Sequence, residues 1–153
     1  MIKEDQIHEA QKKWGNGIVK IGTLKNKKVE CVEFTKTFLN ELYDFKNKEV
    51  LFKPTKAVKE QFRPNLEMAL SYFIGGNDSF CVEDDGFAMK PWVDVKFKNS
   101  GFIIENHRAI AMGNYFFTDL EGAVVKVEYT FGYTLRNGNL VIDLHHSSLP
   151  FSL

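Results

Sequence analysis

Two periods of apolar residues divide this chain. In its first half, Ile7, Ala10, Gln11, Trp14, Ile18 and Ile21 return every three or four positions. That spacing predicts a helix from Lys3 to about Leu24, although Gly15 and Gly17 weaken it. After a turn at Lys25-Asn26-Lys27-Lys28, Val32, Phe38, Leu39 and Leu42 predict a second helix over Val29 to Tyr43. Lys48 to Thr55 reads as a short strand closed by Pro54, and Lys56 to Arg63 as a short segment compatible with a helical turn. Asn65 is a good N-cap for a third helix reaching Ile74, because its side chain can accept a backbone N–H. Gly75-Gly76-Asn77 then ends it, and Asp78 to Pro91 forms a loop.

From Trp92 the period drops to two. Val93, Val95 and Phe97 alternate with Asp94, Lys96 and Lys98. A turn is expected at Asn99-Ser100-Gly101, with strands following over Phe102 to Glu105, Ala109 to Thr118 and Val125 to Tyr133. Asn137-Gly138 is a strong hairpin signal, since both positions of a type I′ turn need positive φ. The last strand runs from Asn139 to Ser148. Helices first and an antiparallel meander second predict an α+β fold, a curved sheet with the N-terminal helices on one face. Gly113 and Gly132 fall inside strand patterns and mark candidate bulges that let the sheet curl. A curled sheet capped by helices forms a cone, with room for a small ligand at its open end.

The 153 residues fit one domain, read here as residues 1–153. Fourteen Phe, 5 Tyr and 2 Trp suit a large core or an apolar pocket. Twenty basic residues balance 20 acidic ones, so charge gives no reason to expect nucleic acid or a lipid surface as a partner. No apolar run is long enough to cross a membrane and no signal-like segment opens the chain. Those features predict a soluble protein, cytosolic or matured from a targeted precursor. Cys31 and Cys81 lack metal-site spacing and read as free thiols, at least one of them packed. The acidic run Glu83-Asp84-Asp85 lacks the alternation of a calcium loop and reads as a solvated turn.

Candidate chemistry concentrates at the end of the last strand, in His145-His146-Ser147-Ser148. Alternation puts His145 and Ser147 on one face and His146 and Ser148 on the other. The apolar run Leu140, Ile142, Leu144 leads to the second pair, but a bulge near Asp143 would swap the faces. Alternation alone leaves both pairs as candidates for the pocket, His145 with Ser147 or His146 with Ser148. Histidine next to serine suits water activation, and equally a polar strand end.

Several stretches carry a family resemblance: YDFKNKEVLFKPT at 43–55, LSYFIGG at 70–76, EDDGFAMKPW at 83–92, AMGNYFFTD at 111–119, KVEYTFGY at 126–133 and LHHSSLP at 144–150. Together they resemble the iota class of carbonic anhydrases, built on the association-domain type of calcium/calmodulin-dependent protein kinase within the nuclear transport factor 2-like superfamily. The resemblance implies a cone-shaped fold and reversible hydration of carbon dioxide to bicarbonate without a metal or other cofactor. It also implies a bicarbonate site made by a Thr, a Tyr, a His and a Ser. Residue by residue these fall on Thr55, Tyr72, His145 and Ser147, with Thr55, Tyr72 and Ser147 also binding substrate. A homodimer is implied too.

In this scheme His145 takes a proton from water, Ser147 and Thr55 orient that water, and Tyr72 donates to an oxygen gaining charge. Phe45, Phe52, Phe73 and Trp92 are the expected apolar wall. Two other readings stay open: a non-catalytic, oligomer-forming module, and a different small-molecule enzyme using a carboxylate base, for which Asp143 is the nearest acid.

Overall fold

The computed structural model describes residues 1–153. Helix α1 spans Glu4–Thr23, α2 Lys28–Leu42 and α3 Leu66–Ile74. Strand β1 is Leu51–Lys53, β2 Trp92–Ile104, β3 Arg108–Asp119, β4 Val124–Arg136 and β5 Asn139–Ser148. The strands form one sheet in the order β1-β5-β4-β3-β2. All pairs are antiparallel except β1 with β5, which is parallel. The expected α+β cone is what forms. No helix is long and apolar enough to cross a membrane.

Helix α1 runs unbroken through its glycines because tertiary packing overrides their low propensity. A Cβ at Gly17 would lie 2.1 Å from the Phe38 ring, so the missing side chain lets α2 approach α1. Asn65 caps α3, its side chain accepting from Met68 N at 3.0 Å. Asn137 and Gly138 adopt φ of 52° and 81° and close the β4–β5 hairpin. Trp14 is the hub of the core. Its ring lies 5.5 Å from that of Tyr115, 5.6 Å from His145 and 5.9 Å from Phe131, joining α1 to three strands.

Three expectations change. The strand over Lys48 to Thr55 shortens to three residues, since Pro54 offers no N–H to extend the pairing. Lys56 to Arg63 forms no helix. It is instead tied to the 81–86 loop: Glu83 accepts from the backbone N–H groups of Val58, Lys59 and Glu60 at 2.8, 3.0 and 2.7 Å. Asn99-Ser100-Gly101 is a bulge inside a continuous β2, where the register against β3 slips. Asn99 turns inward and exchanges two hydrogen bonds with the buried Gln11, at 2.7 and 2.9 Å, so the chain bends where a turn was expected.

The acidic run is likewise no simple solvated turn. Asp84 is 3% exposed and pairs with the fully buried Arg63 through two bonds of 2.8 Å. Cys31 and Cys81 are both free and buried.

A second bulge decides which residues face the cone. Gly132 pairs with Leu144, but the next residue of β4, Tyr133, pairs with Ile142, leaving Asp143 as the extra residue. Before it, Ile142 points inward at 2% exposure. Beyond it the parity inverts, and His145 and Ser147 are 2% and 1% exposed. Asp143 is held there by Arg108 at 2.6 Å and Lys48 at 3.1 Å. Gly132 fits because a Cβ would lie 2.8 Å from the Leu144 Cβ and 2.7 Å from the Arg108 guanidinium.

Candidate active site

Beyond the bulge, β5 runs between β1 and β4, which set Phe52 and Phe131 as the register partners of His145. The imidazole stacks on both, 4.9 Å from the Phe52 ring and 4.1 Å from Phe131. Both ring nitrogens are engaged. Nδ1 lies 2.7 Å from the Tyr43 hydroxyl and Nε2 lies 3.0 Å from the Tyr115 hydroxyl. Burial, and next the neighbouring His146, push its pKa well below the usual imidazole value, so it is neutral near pH 7. A direct proton transfer from water to His145 therefore does not fit this geometry.

From Tyr115 the contacts continue outward. Its hydroxyl donates to Ser147 Oγ at 2.6 Å, and Ser147 Oγ lies 2.6 Å from Thr55 Oγ1. Thr55 comes in from the residues after β1, while β5 brings Ser147. Lys53 Nζ ties the two backbones, donating to Ser147 O at 3.0 Å and Thr55 O at 3.4 Å. Burial lowers the Lys53 pKa. Tyr72, on α3, accepts from the Lys56 backbone N–H at 3.2 Å. Burial raises the pKa values of Tyr72 and Tyr115, so both phenols stay protonated and can donate.

These groups surround a small cavity of about 10 Å³, room for about one water molecule. Thr55, Tyr72, Tyr115, His145 and Ser147 supply its polar lining, and Trp14, Phe52, Pro54, Phe73 and Phe87 its apolar lining. An outer depression of about 280 Å³ shares Tyr72 and Phe87 with it and includes Lys56, Lys90 and Trp92. The stacked pair Tyr72 and Phe87, 5.7 Å apart, thus stands between the interior and the outer surface. Arg63 braces this mouth from behind: it bonds Asp84, which also accepts from Ser71 of α3 at 2.5 Å.

The residues expected from the sequence, Thr55, Tyr72, His145 and Ser147, meet at this one cavity. His146 is exposed, and Ser148 bonds Glu128 at 2.7 Å on the other face. Of the expected wall, Phe52 and Phe73 line the cavity, Trp92 lines the outer depression, and Phe45 stacks on Tyr43 away from both. Asp143 does not line the cavity. Trp14, Tyr43, Tyr115 and Phe87 were not foreseen as site residues. Nowhere do three His, Cys, Asp or Glu side chains converge as a metal-binding group.

Comparison with known proteins places these features. A family model described as metal-independent carbonic anhydrase matches residues 5–149. A metal-independent carbonic anhydrase of Nostoc sp. is 36% identical over 98% of this chain and 75% of its own length. The crystal structure of a cyanobacterial iota-carbonic anhydrase complexed with bicarbonate superposes with a TM-score of 0.94 and 35% identity, covering 99% of this chain and 94% of that one. A putative calcium/calmodulin-dependent protein kinase II association domain from Xanthomonas campestris gives 0.66 at 17% identity over 100% and 91% of the two chains. That last likeness is one of fold.

Proposed function

The chain belongs to the metal-independent carbonic anhydrase family, and we propose that it hydrates carbon dioxide reversibly to bicarbonate at Thr55, Tyr72 and Ser147, the small cavity between them holding the attacking water. The observation that carries this assignment is the Thr55–Ser147 hydroxyl pair at 2.6 Å, set against Tyr72 in a largely aromatic chamber. Carbon dioxide is apolar and small, and Phe52, Phe73 and Phe87 offer it a surface that water wets poorly. As a water oxygen bonds to carbon, negative charge grows on the carbon dioxide oxygens. Hydroxyl donors fixed in a site of low dielectric stabilise such charge without reorganising. Tyr72 has its oxygen occupied by the Lys56 N–H, which leaves its hydrogen to give.

Thr55 and Ser147 retain oxygen lone pairs that can orient the attacking water. The products are bicarbonate and one proton, which leaves by way of the mouth at Tyr72 and Phe87. His145 supports the hydroxyls from behind through Tyr115. Bicarbonate bound to the cyanobacterial relative supports the substrate class.

The test is stopped-flow carbon dioxide hydration on protein dialysed against chelator. Activity unchanged by chelation is expected; a rate that vanishes and returns with zinc would overturn the metal-independent reading.

We also propose a homodimer that pairs across the outer face of the sheet. Ile103 and Met112 are exposed there, and Ile110, Phe116 and Leu144 are only partly covered. Light scattering coupled to gel filtration should give twice the chain mass, and a monomer at all concentrations would contradict it.

A further inference from the structure

Six side chains form one unbroken line through the core. The Trp14 indole N–H donates to the Tyr43 oxygen at 3.0 Å. Tyr43 meets His145 Nδ1, His145 Nε2 meets Tyr115, Tyr115 donates to Ser147, and Ser147 meets Thr55. Trp14, Tyr43, Tyr115, His145 and Ser147 are each at most 2% exposed, so water does not intervene along the line.

The donor at one end sets the sense of the rest. An indole N–H only donates, so Tyr43 is an acceptor toward Trp14. The single hydrogen of Tyr43 then has one acceptor within reach, His145 Nδ1. A neutral imidazole with Nδ1 accepting carries its hydrogen on Nε2. Nε2 donates to Tyr115, and Tyr115 donates to Ser147. Ser147 and Thr55 hold two hydroxyl hydrogens between them and share one bond. One hydrogen is left over, on a hydroxyl that lines the cavity. In the reverse sense Tyr43 would receive N–H groups from both sides and its own buried hydrogen would find no acceptor, a costly arrangement.

We propose that Tyr43, backed by the Trp14 N–H, is a positioning residue that holds His145 as its Nε2–H tautomer and so aims a hydroxyl hydrogen of the Thr55–Ser147 pair at the substrate. Tyr43 itself does not line the cavity. A chain of hydrogen bonds running in one sense polarises its members cooperatively, and its last donor is strengthened toward an anion such as bicarbonate. Because the line ends at a group that cannot accept, it is no exit path for the reaction's proton. The effect on rate rests on the carbonic anhydrase reading, while the tautomer does not.

The test is 15N NMR of the full chain labelled at histidine, near pH 7.5, with hydration kinetics beside it. Wild type should carry the His145 hydrogen on Nε2, with Nδ1 shifted as a strong acceptor. Tyr43→Phe should move the Nδ1 resonance toward that of an unbonded nitrogen and lower kcat about tenfold. Phe45→Leu disturbs the ring stacked 5.3 Å from Tyr43 but keeps its hydroxyl, and should change neither. Wild-type His145 protonated on Nδ1 would overturn the proposal. So would a folded Tyr43→Phe with full kcat, or a Phe45→Leu that loses as much. If wild type hydrates no carbon dioxide the enzyme reading fails, and the imidazole resonances still decide the sense of the chain.

Discussion

Strand β5 presents two His-x-Ser pairs, one on each face, and they have different fates. His145 and Ser147 lie among aromatic rings, each with its polar atoms committed to tyrosine or threonine. His146, one residue away, is exposed, and Ser148 bonds Glu128 at the surface. The residue types are identical, so chemistry alone does not separate the pairs. Position relative to one extra residue, Asp143, does. A one-residue slip in a strand sends every side chain to the opposite face, and the bulge fixes that slip in place.

The comparison can be broken most severely at the inner ring stack. Phe131 packs 4.1 Å from His145 and is fully buried. Phe131→Ala should cost about 3–5 kcal/mol in urea unfolding; a loss under about 1 kcal/mol would mean the inner face is not packed as described. The bulge is next. Asp143→Ala removes the carboxylate shared by Arg108 and Lys48 and should cost about 1–3 kcal/mol, with hydration activity falling as the inner pair loses its register. Full activity in that variant would show that other contacts set the parity.

Acidity sharpens the contrast further. Folding keeps His145 neutral, whereas in the unfolded chain it titrates near its ordinary 6.5. Below that pH the unfolded state binds a proton that the folded state refuses, so stability falls as pH falls. The loss should reach roughly 1–2 kcal/mol between pH 6.5 and 5, and His145→Gln should flatten that part of the curve. A slope unchanged by His145→Gln would refute it. The smallest effect is expected outside. His146→Ala should leave the stability of the folded chain within about 0.5 kcal/mol of wild type, and a larger loss would show that the outer pair is also bound into the fold.

The sequence makes part of this legible. The change from helical to alternating period marks the two halves, and Asn137-Gly138 places the last hairpin. The stretches LFKPT, LSYF and HHSS lead to Thr55, Tyr72, His145 and Ser147. Asp143 was seen as a place where parity could invert, yet only strand pairing shows that Gly132 and Tyr133 straddle it. Tyr43, Tyr115 and Trp14 were not legible as site residues. Each reads as an ordinary core aromatic on its own element, and Tyr43 meets His145 across 102 positions of chain. Asp84 misled for a similar reason. Its partner Arg63 stands 21 residues earlier, in a segment with no periodicity to place it.

The most direct measurement is stopped-flow carbon dioxide hydration by chelator-treated wild type, Ser147→Ala and Ser148→Ala. Wild type should be active, Ser147→Ala should lose about 100-fold in kcat/KM, the size expected for a donor to developing oxyanion charge, and Ser148→Ala should stay within about twofold of wild type. A folded Ser147→Ala that keeps the wild-type rate, or a Ser148→Ala that loses it, would contradict the assignment of the reaction to the inner face.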